Sequence, residues 1–213
     1  MSDHLIEAEL KFRAADEAPL LALASATSLG PAGLGPARTV AELDRYLDTP
    51  DGRLAAVRWA CRLRTREGTT IVSLKGPAEH HPGDLVHRRP ESEGPAAEDE
   101  LDPARWPDSS ARRLLRELAG DGPLVERLSL AQERVEREVR LGSSAAGILS
   151  LDRCRVLRGG RQRGAFGIVE LELNADGLGR ADALGEALAD VPGLQPEPES
   201  KLGLALAALR DSR

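Results

Sequence analysis

The sequence predicts an α+β protein that is mainly β: an antiparallel sheet closed into a barrel with a charged interior and helices outside. Three observations predict it. Strands outnumber helices, and their connections suit antiparallel neighbours. Many segments alternate apolar and polar residues with a period of two, which puts each type on its own face of a strand. The polar faces carry repeated Glu-x-Glu and Arg-x-Arg pairs, where a solvated face could equally carry Ser, Thr or Gln. A closed barrel with those charges inside accounts for the set, provided they are paired or balanced by metal ions or water.

Residues 4–13 form the first strand, with Ile6, Ala8, Leu10 and Phe12 on one face and Glu7, Glu9 and Lys11 on the other. Carboxylate pairs bind hard metal ions and ammonium groups bind phosphate oxygens, so this face suggests a metal-plus-phosphate site. Residues 18–28 read as a helix ending in a Gly/Pro-rich loop at 30–36. Residues 38–48 read as a strand, stopped by the turn Thr49-Pro-Asp-Gly52. A hairpin follows over 56–66 and 69–75 around Glu67-Gly68, with Arg62, Arg64, Ser73 and Lys75 on polar faces. The strand at 84–93 carries Arg89, Glu91 and Glu93 on one face, and Pro90 marks an edge or bulge. Residues 94–108, acidic and Pro-rich, read as a mobile loop, and 109–119 as a helix with Leu114, Leu115 and Leu118 on one side. Strands follow at 124–140, 147–157 and 165–173, with a Gly/Arg-rich turn at 158–164. Arg134 heads a charged alternation, and Glu170 and Glu172 alternate with Val169, Leu171 and Leu173. Helices at 180–189 and 200–209 close the chain, which reads as a single domain over 1–213.

Lysine occurs three times against twenty-six arginines, and each lysine lies in a polar motif: Lys11, Lys75 and Lys201. A compact ammonium is not interchangeable with a guanidinium fork, so its retention at these positions points to chemistry. Net charge is −6 and aromatics are 2% of the chain, which argues against a nucleic-acid binder. Cys61 and Cys154 are far apart and read as reduced thiols. The absence of a signal pattern and of any apolar run near ~18 residues leads us to expect a cytoplasmic protein without membrane contact.

The chain resembles the CYTH superfamily, the triphosphate tunnel metalloenzymes. The residues that carry the resemblance are Glu7-x-Glu9-x-Lys11, Tyr46-Leu-Asp48-Thr-Pro, Arg62-x-Arg64, Leu74-Lys-Gly-Pro, Arg89-x-Glu91-x-Glu93, Glu170-Leu-Glu172-Leu and Ser200-Lys201, in the family's order over residues 3–206. The resemblance implies an eight-stranded antiparallel barrel forming an open-ended tunnel. It implies that Lys11, Arg62, Arg64, Lys75, Arg134 and Lys201 grip a triphosphate. Glu7, Glu9, Glu91, Glu93, Asp152, Glu170 and Glu172 would hold Mg²⁺ or Mn²⁺, with Glu7, Glu9 and Lys11 central to catalysis. Arg89 supports the carboxylates, and Tyr46 and Asp48 fix a strand end and turn.

The activity implied is metal-dependent hydrolysis of inorganic triphosphate (tripolyphosphate) to pyrophosphate and phosphate. Thiamine triphosphatases and class IV adenylate cyclases share the tunnel, and a non-catalytic polyphosphate-binding module is a further alternative. Relatives often precede a helical CHAD domain, so a longer parent chain is one expectation. Two departures stand out: Gln132 replaces a basic residue two before Arg134, and Asp152-Arg-Cys154 replaces the family's Asp-x-Gly. Arg153 and Arg155 read as structural or surface charges, and His80 and His81 as surface histidines.

Overall fold

The computed structural model describes residues 5–79, 85–97 and 100–211; His80 and His81 lie outside the described residues. Eleven strands are present among them: β1 Leu5–Ala14, β2 Ser28–Leu29, β3 Ala32–Leu34, β4 Arg38–Asp48, β5 Ala60–Arg66, β6 Thr69–Lys75, β7 Val86–Pro95, β8 Val125–Leu141, β9 Ser144–Arg158, β10 Arg161–Leu173 and β11 Leu194–Pro196. Eight of them close a barrel in the order β8-β4-β5-β6-β7-β1-β10-β9, with β9 pairing back onto β8. Every pairing around the ring is antiparallel. Closure removes the sheet edges and gives each strand an inner and an outer face.

The outer faces bury the apolar halves of the alternations. Leu10 and Phe12 of β1, with Leu149, Leu151, Val169 and Leu171, pack under α1 (Ala18–Ser25) and α5 (Ala181–Ala189). Cys61 and Leu63 of β5, with Val72 and Leu74 of β6, pack under α3 (Ser110–Ala119), through Ala111, Leu114 and Leu115. Two short helices, α2 (Arg53–Ala56) and α4 (Ala175–Leu178), fill the corners. None of the described helices is long and apolar enough to cross a membrane.

A third cluster lies on the inner face at one end of the barrel. Leu128, Leu130, Val156, Phe166 and Ile168 point inward there and pack against Leu204 and Ala205 of α6 (Lys201–Asp211). The expectation of an open-ended tunnel is corrected at this end: the inward residues turn from charged to apolar, and α6 lies across the mouth to cover them. The charged stretch of the tunnel opens at the opposite end.

Several element boundaries differ from the sequence reading. The segment 94–108 is not a free loop where it is described. Trp106 is 1% exposed, its Nε1 donates to the Glu100 carbonyl at 2.8 Å, and Asp102 caps a single 3-10 turn, Pro103–Arg105. One large aromatic supplies enough buried surface to pin an otherwise polar segment. The loop expected at 30–36 contains β2 and β3, turned by Gly30 at φ 53°, where a side chain would collide with Ala187. Strand β5 starts at Ala60 because Asp48 accepts from the Leu54 and Ala55 amides at 2.9 and 3.2 Å and nucleates α2 first. The β9–β10 turn narrows to Gly159 and Gly160, both at positive φ. Pro90 marks where the β6 ladder stops, since the last β6–β7 pair is Lys75 with Glu91.

Candidate active site in the charged tunnel

The inner face of each strand delivers its polar alternate residues to one cavity of about 500 Å³, lined among others by Glu7, Glu9, Arg62, Arg64, Lys75, Arg89, Glu91, Glu93, Arg134, Glu170, Glu172 and Lys201. Lys11 lies on the same face of β1, buried, with its Nζ 2.8 Å from Glu9. Asp152 lies on the inner face of β9, fully buried. Every residue expected at the site therefore faces the barrel interior, and all three lysines of the chain do so.

Two walls differ in chemistry. On β4, β5, β8 and β9, arginines and acids form closed pairs. Arg64 grips Asp44 through Nε and Nη2 at 2.7 and 2.8 Å. Arg134 grips Asp152 in the same two-pronged way at 2.7 and 2.9 Å. Arg66 bridges Glu136 at 2.6 Å and Glu42 at 3.2 Å. Lys201, the first residue of α6, reaches in to Asp152 at 2.6 Å and Glu170 at 2.7 Å. Such forked, charge-assisted bonds fix guanidinium planes in orientation as well as position. Burial drives the Asp44 carboxyl upward, but Arg62 and Arg64 outweigh it and hold Asp44 well below the usual carboxylate range. Lys201 and Arg134 do the same for Asp152.

The second wall, on β7, β1 and β10, holds carboxylates in excess. Register places Glu9 opposite Glu172 and Glu7 opposite Arg89. Lys75 reaches Glu7 at 2.6 Å and Glu91 at 3.0 Å, and Arg89 joins Glu7 at 2.7 Å to Glu9 at 3.1 Å. Glu7 is served best: against burial, Lys75 and Arg89 hold its pKa at about 2. Glu91 and Glu172 are not. Burial, followed by the nearby Glu7, raises both of them. The buried Glu91 Oε1 is met by Lys75 Nζ at 3.0 Å without hydrogen-bond geometry. Among the described residues, no three His, Cys, Asp or Glu side chains form a ready-made metal centre. The donors present are nonetheless hard oxygens under mutual repulsion, the set that suits an ion such as Mg²⁺, which takes one or two carboxylates plus phosphate oxygens and water.

Sequence reasoning missed Glu42, Asp44, Arg66 and Glu136. Their signal was the spacing of Glu42, Asp44 and Tyr46 along β4, the same i, i+2 pattern as on β1. Tyr46, two residues before the end of β4, lines the cavity, with its hydroxyl pushed up to about 12 by burial and by Asp44. Gln132, one of the two departures, donates to Asp44 at 2.8 Å and accepts from the Cys154 thiol at 3.4 Å. Arg153 lies outside, paired with Glu133 at 2.7 Å.

The closed antiparallel barrel thus sets a basic wall across one cavity from a carboxylate-rich wall. The CYTH domain profile matches residues 5–202, and the chain belongs to the CYTH domain family. No curated protein matches the sequence. Solved structures share the fold. HpAC1 of Hippeastrum, described as an adenylyl cyclase candidate with a dominant triphosphatase activity, is 22% identical with a TM-score of 0.71, covering 97% of this chain and 96% of that one. A Bacillus halodurans protein named for adenylate cyclase is 22% identical with a TM-score of 0.62, covering 95% and 97%. The Mimivirus capping-enzyme triphosphatase is 9% identical with a TM-score of 0.51, covering 89% and 91%.

Proposed function

We propose that the protein hydrolyses inorganic triphosphate (tripolyphosphate) to pyrophosphate and phosphate in this cavity, with Mg²⁺ or Mn²⁺ as cofactor. The observation that carries this reading is the pairing of an oriented arginine wall with a carboxylate wall left in excess, across one dead-ended cavity. A linear polyanion satisfies the first and its counter-cations satisfy the second. The triphosphatase activity ascribed to HpAC1 and to the Mimivirus enzyme supports it.

Phosphoryl transfer needs little covalent participation from a protein; positioning and charge stabilisation supply most of the catalysis. Lys201 and Arg134 would hold the inner phosphate beneath α6, and Arg62 and Arg64 the middle of the chain. Lys11 and Lys75, already seated among the carboxylates, would bridge substrate to the acidic wall. Glu7, Glu9, Glu91, Glu93 and Glu172 would hold the divalent ion, with Glu170 and Asp152 steadying Lys201 and Arg134. The bound ion supplies phosphate neutralisation and an acidified water. Arg89 would bridge Glu7 and Glu9 and fix the position of both carboxylates.

One observation favours a second reading, an organic triphosphate. Ile148 is 42% exposed yet lines the charged cavity together with Ile71, an apolar contact that a bare phosphate chain does not use. Phosphate release from tripolyphosphate, ATP and thiamine triphosphate, with Mg²⁺, Mn²⁺ or EDTA, decides between them. We expect tripolyphosphate to turn over fastest and EDTA to abolish turnover. If ATP or thiamine triphosphate wins, and Ile148→Ser lowers its kcat/KM more than that of tripolyphosphate, the second reading replaces the first. Tight, metal-independent binding with no phosphate released from any of them would leave a binding module.

A further inference from the structure

We infer that Asp44 is a positioning residue that sets the phosphate-facing orientation of Arg62 and Arg64, with Gln132 anchoring it from behind. This inference rests on the proposed triphosphate site. Asp44 is fully buried on the inner face of β4, whose neighbours β5 and β8 supply its partners. Both of its oxygens engage Arg64, at 2.7 and 2.8 Å. Its Oδ2 also accepts from Gln132 Nε2 at 2.8 Å and lies 3.5 Å from Arg62 Nη1. Asp44 thus takes up Nε and Nη2 of Arg64, with Glu42 Oε2 3.3 Å from the same Nε, and fixes the guanidinium plane in the cavity that Arg64 lines. Arg62 is braced by Ser73 Oγ at 3.1 Å, while its buried Nε has no hydrogen-bond partner.

Stability alone gives little reason for this arrangement. Replacing a buried ion pair by apolar side chains of similar volume is often neutral or stabilising. What an ion pair adds is a fixed guanidinium plane, and that matters where the guanidinium must meet a ligand. The residue behind Asp44 fits the same purpose. A lysine or arginine at position 132 would compete with Arg64 for the carboxylate. A neutral glutamine donates one hydrogen bond and leaves both arginine contacts in place. The amide cannot turn over freely, because its oxygen accepts from the Cys154 thiol at 3.4 Å, and burial keeps that thiol protonated by raising its pKa. The chain from Cys154 through Gln132 and Asp44 to the arginines is a sequence of directed donors and acceptors.

The test is a double-mutant cycle read in two ways: kcat/KM for tripolyphosphate, and its Kd by calorimetry in EDTA, where nothing turns over. Asp44→Asn in the parent should lower kcat/KM about tenfold to a hundredfold, the usual loss when a hydrogen bond to a charged group is removed. In an Arg64→Ala background the same substitution should cost clearly less than in the parent, because residues acting through one another are not additive and only its hold on Arg62 remains to be lost. The Kd cycle should show the same coupling at unchanged binding stoichiometry. A merely structural role would instead lower stoichiometry and add fully in both backgrounds. Gln132→Met, of similar length but without the donor, should give a smaller loss that also shrinks in Arg64→Ala, and it serves if Asp44→Asn does not fold. Additive losses overturn the inference. A parent that binds tripolyphosphate without hydrolysing it refutes the hydrolase and leaves the binding cycle decisive. A parent that neither binds tripolyphosphate in EDTA nor hydrolyses it with Mg²⁺ or Mn²⁺ refutes both.

Discussion

The two walls of the tunnel are built from the same residue types and reach opposite electrostatic states. On β4, β5, β8 and β9 the acids are outmatched by cations, so burial is overcome by Arg62 and Arg64 at Asp44 and by Lys201 and Arg134 at Asp152, and both carboxyls are held below their ordinary value. On β7, β1 and β10 the acids outnumber their partners: cations hold Glu7 and Glu170 low against burial, while Glu91 and Glu172 are raised instead. The difference lies in partner geometry. A guanidinium spreads five donors over a plane and can hold two carboxylates at once, as Arg66 does with Glu42 and Glu136. Lys11 and Lys75 are point charges, and each leaves carboxylate oxygens for something else. The basic wall is complete before substrate arrives, and the acidic wall is completed only by added positive charge.

The harshest way to break this comparison is to remove a carboxylate from the unfinished wall. Glu9→Gln and Glu7→Gln keep side-chain shape, and the packing of β1 lies on its other face, through Leu10 and Phe12. Each should lower tripolyphosphate turnover by about a hundredfold or more, comparable to losing a central electrostatic group in a catalytic site, with the thermal transition preserved. Turnover equal to the parent at limiting Mn²⁺ would remove that residue from the cation site.

A smaller effect is expected on the finished wall. Arg62→Ala removes one charge-assisted contact and should lower kcat/KM about tenfold to a hundredfold. Its neighbours Arg64 and Arg134 remain held by their own acids, so the loss should fall mainly on KM. An unchanged kcat/KM places Arg62 outside the site, and a collapse of kcat alone assigns it to the chemistry rather than to grip.

The contrast between the walls was only half legible in the sequence. The residues of β1 and β10 announce themselves because Glu-x-Glu alternates with apolar side chains, those of β7 through the Arg89-x-Glu91-x-Glu93 spacing itself, and lysine scarcity points at Lys11, Lys75 and Lys201. Strand β4 was legible as a strand, and Glu42 and Asp44 share its i, i+2 spacing, but their importance comes from what β5 and β8 place beside them. Register between distant strands sets that, and no local pattern encodes it. The apolar plug was hidden for a similar reason. Leu128, Val156 and Phe166 share the alternation of the charged positions, so their covering by α6 depends on where the closing helix lands. The segment around Trp106 read as mobile because its composition is polar, although a single buried side chain decides its order.

The mildest test reads the two walls through stability against pH. Asp44 and Asp152 have folded-state pKa values below their ordinary value of 3.8, so their ion pairs contribute full stability above about pH 4 and lose it as pH falls through the lowered folded values. Glu91 and Glu172 have raised values, so they work the other way: the folded state favours their protonated forms, and stability declines as pH rises through those raised values. The melting temperature should therefore peak at mildly acidic pH and fall on both sides, by about 2–4 °C for each kcal/mol lost in a chain of this size. Mg²⁺ or Mn²⁺ should lift the neutral side and leave the acid side alone, because only the carboxylate-rich wall is short of positive charge. In Glu172→Gln the decline toward neutral pH and the metal-induced rise should shrink together. A metal effect of equal size on both limbs would mean that the cation binds elsewhere, and the contrast between the walls would then be electrostatic without being functional.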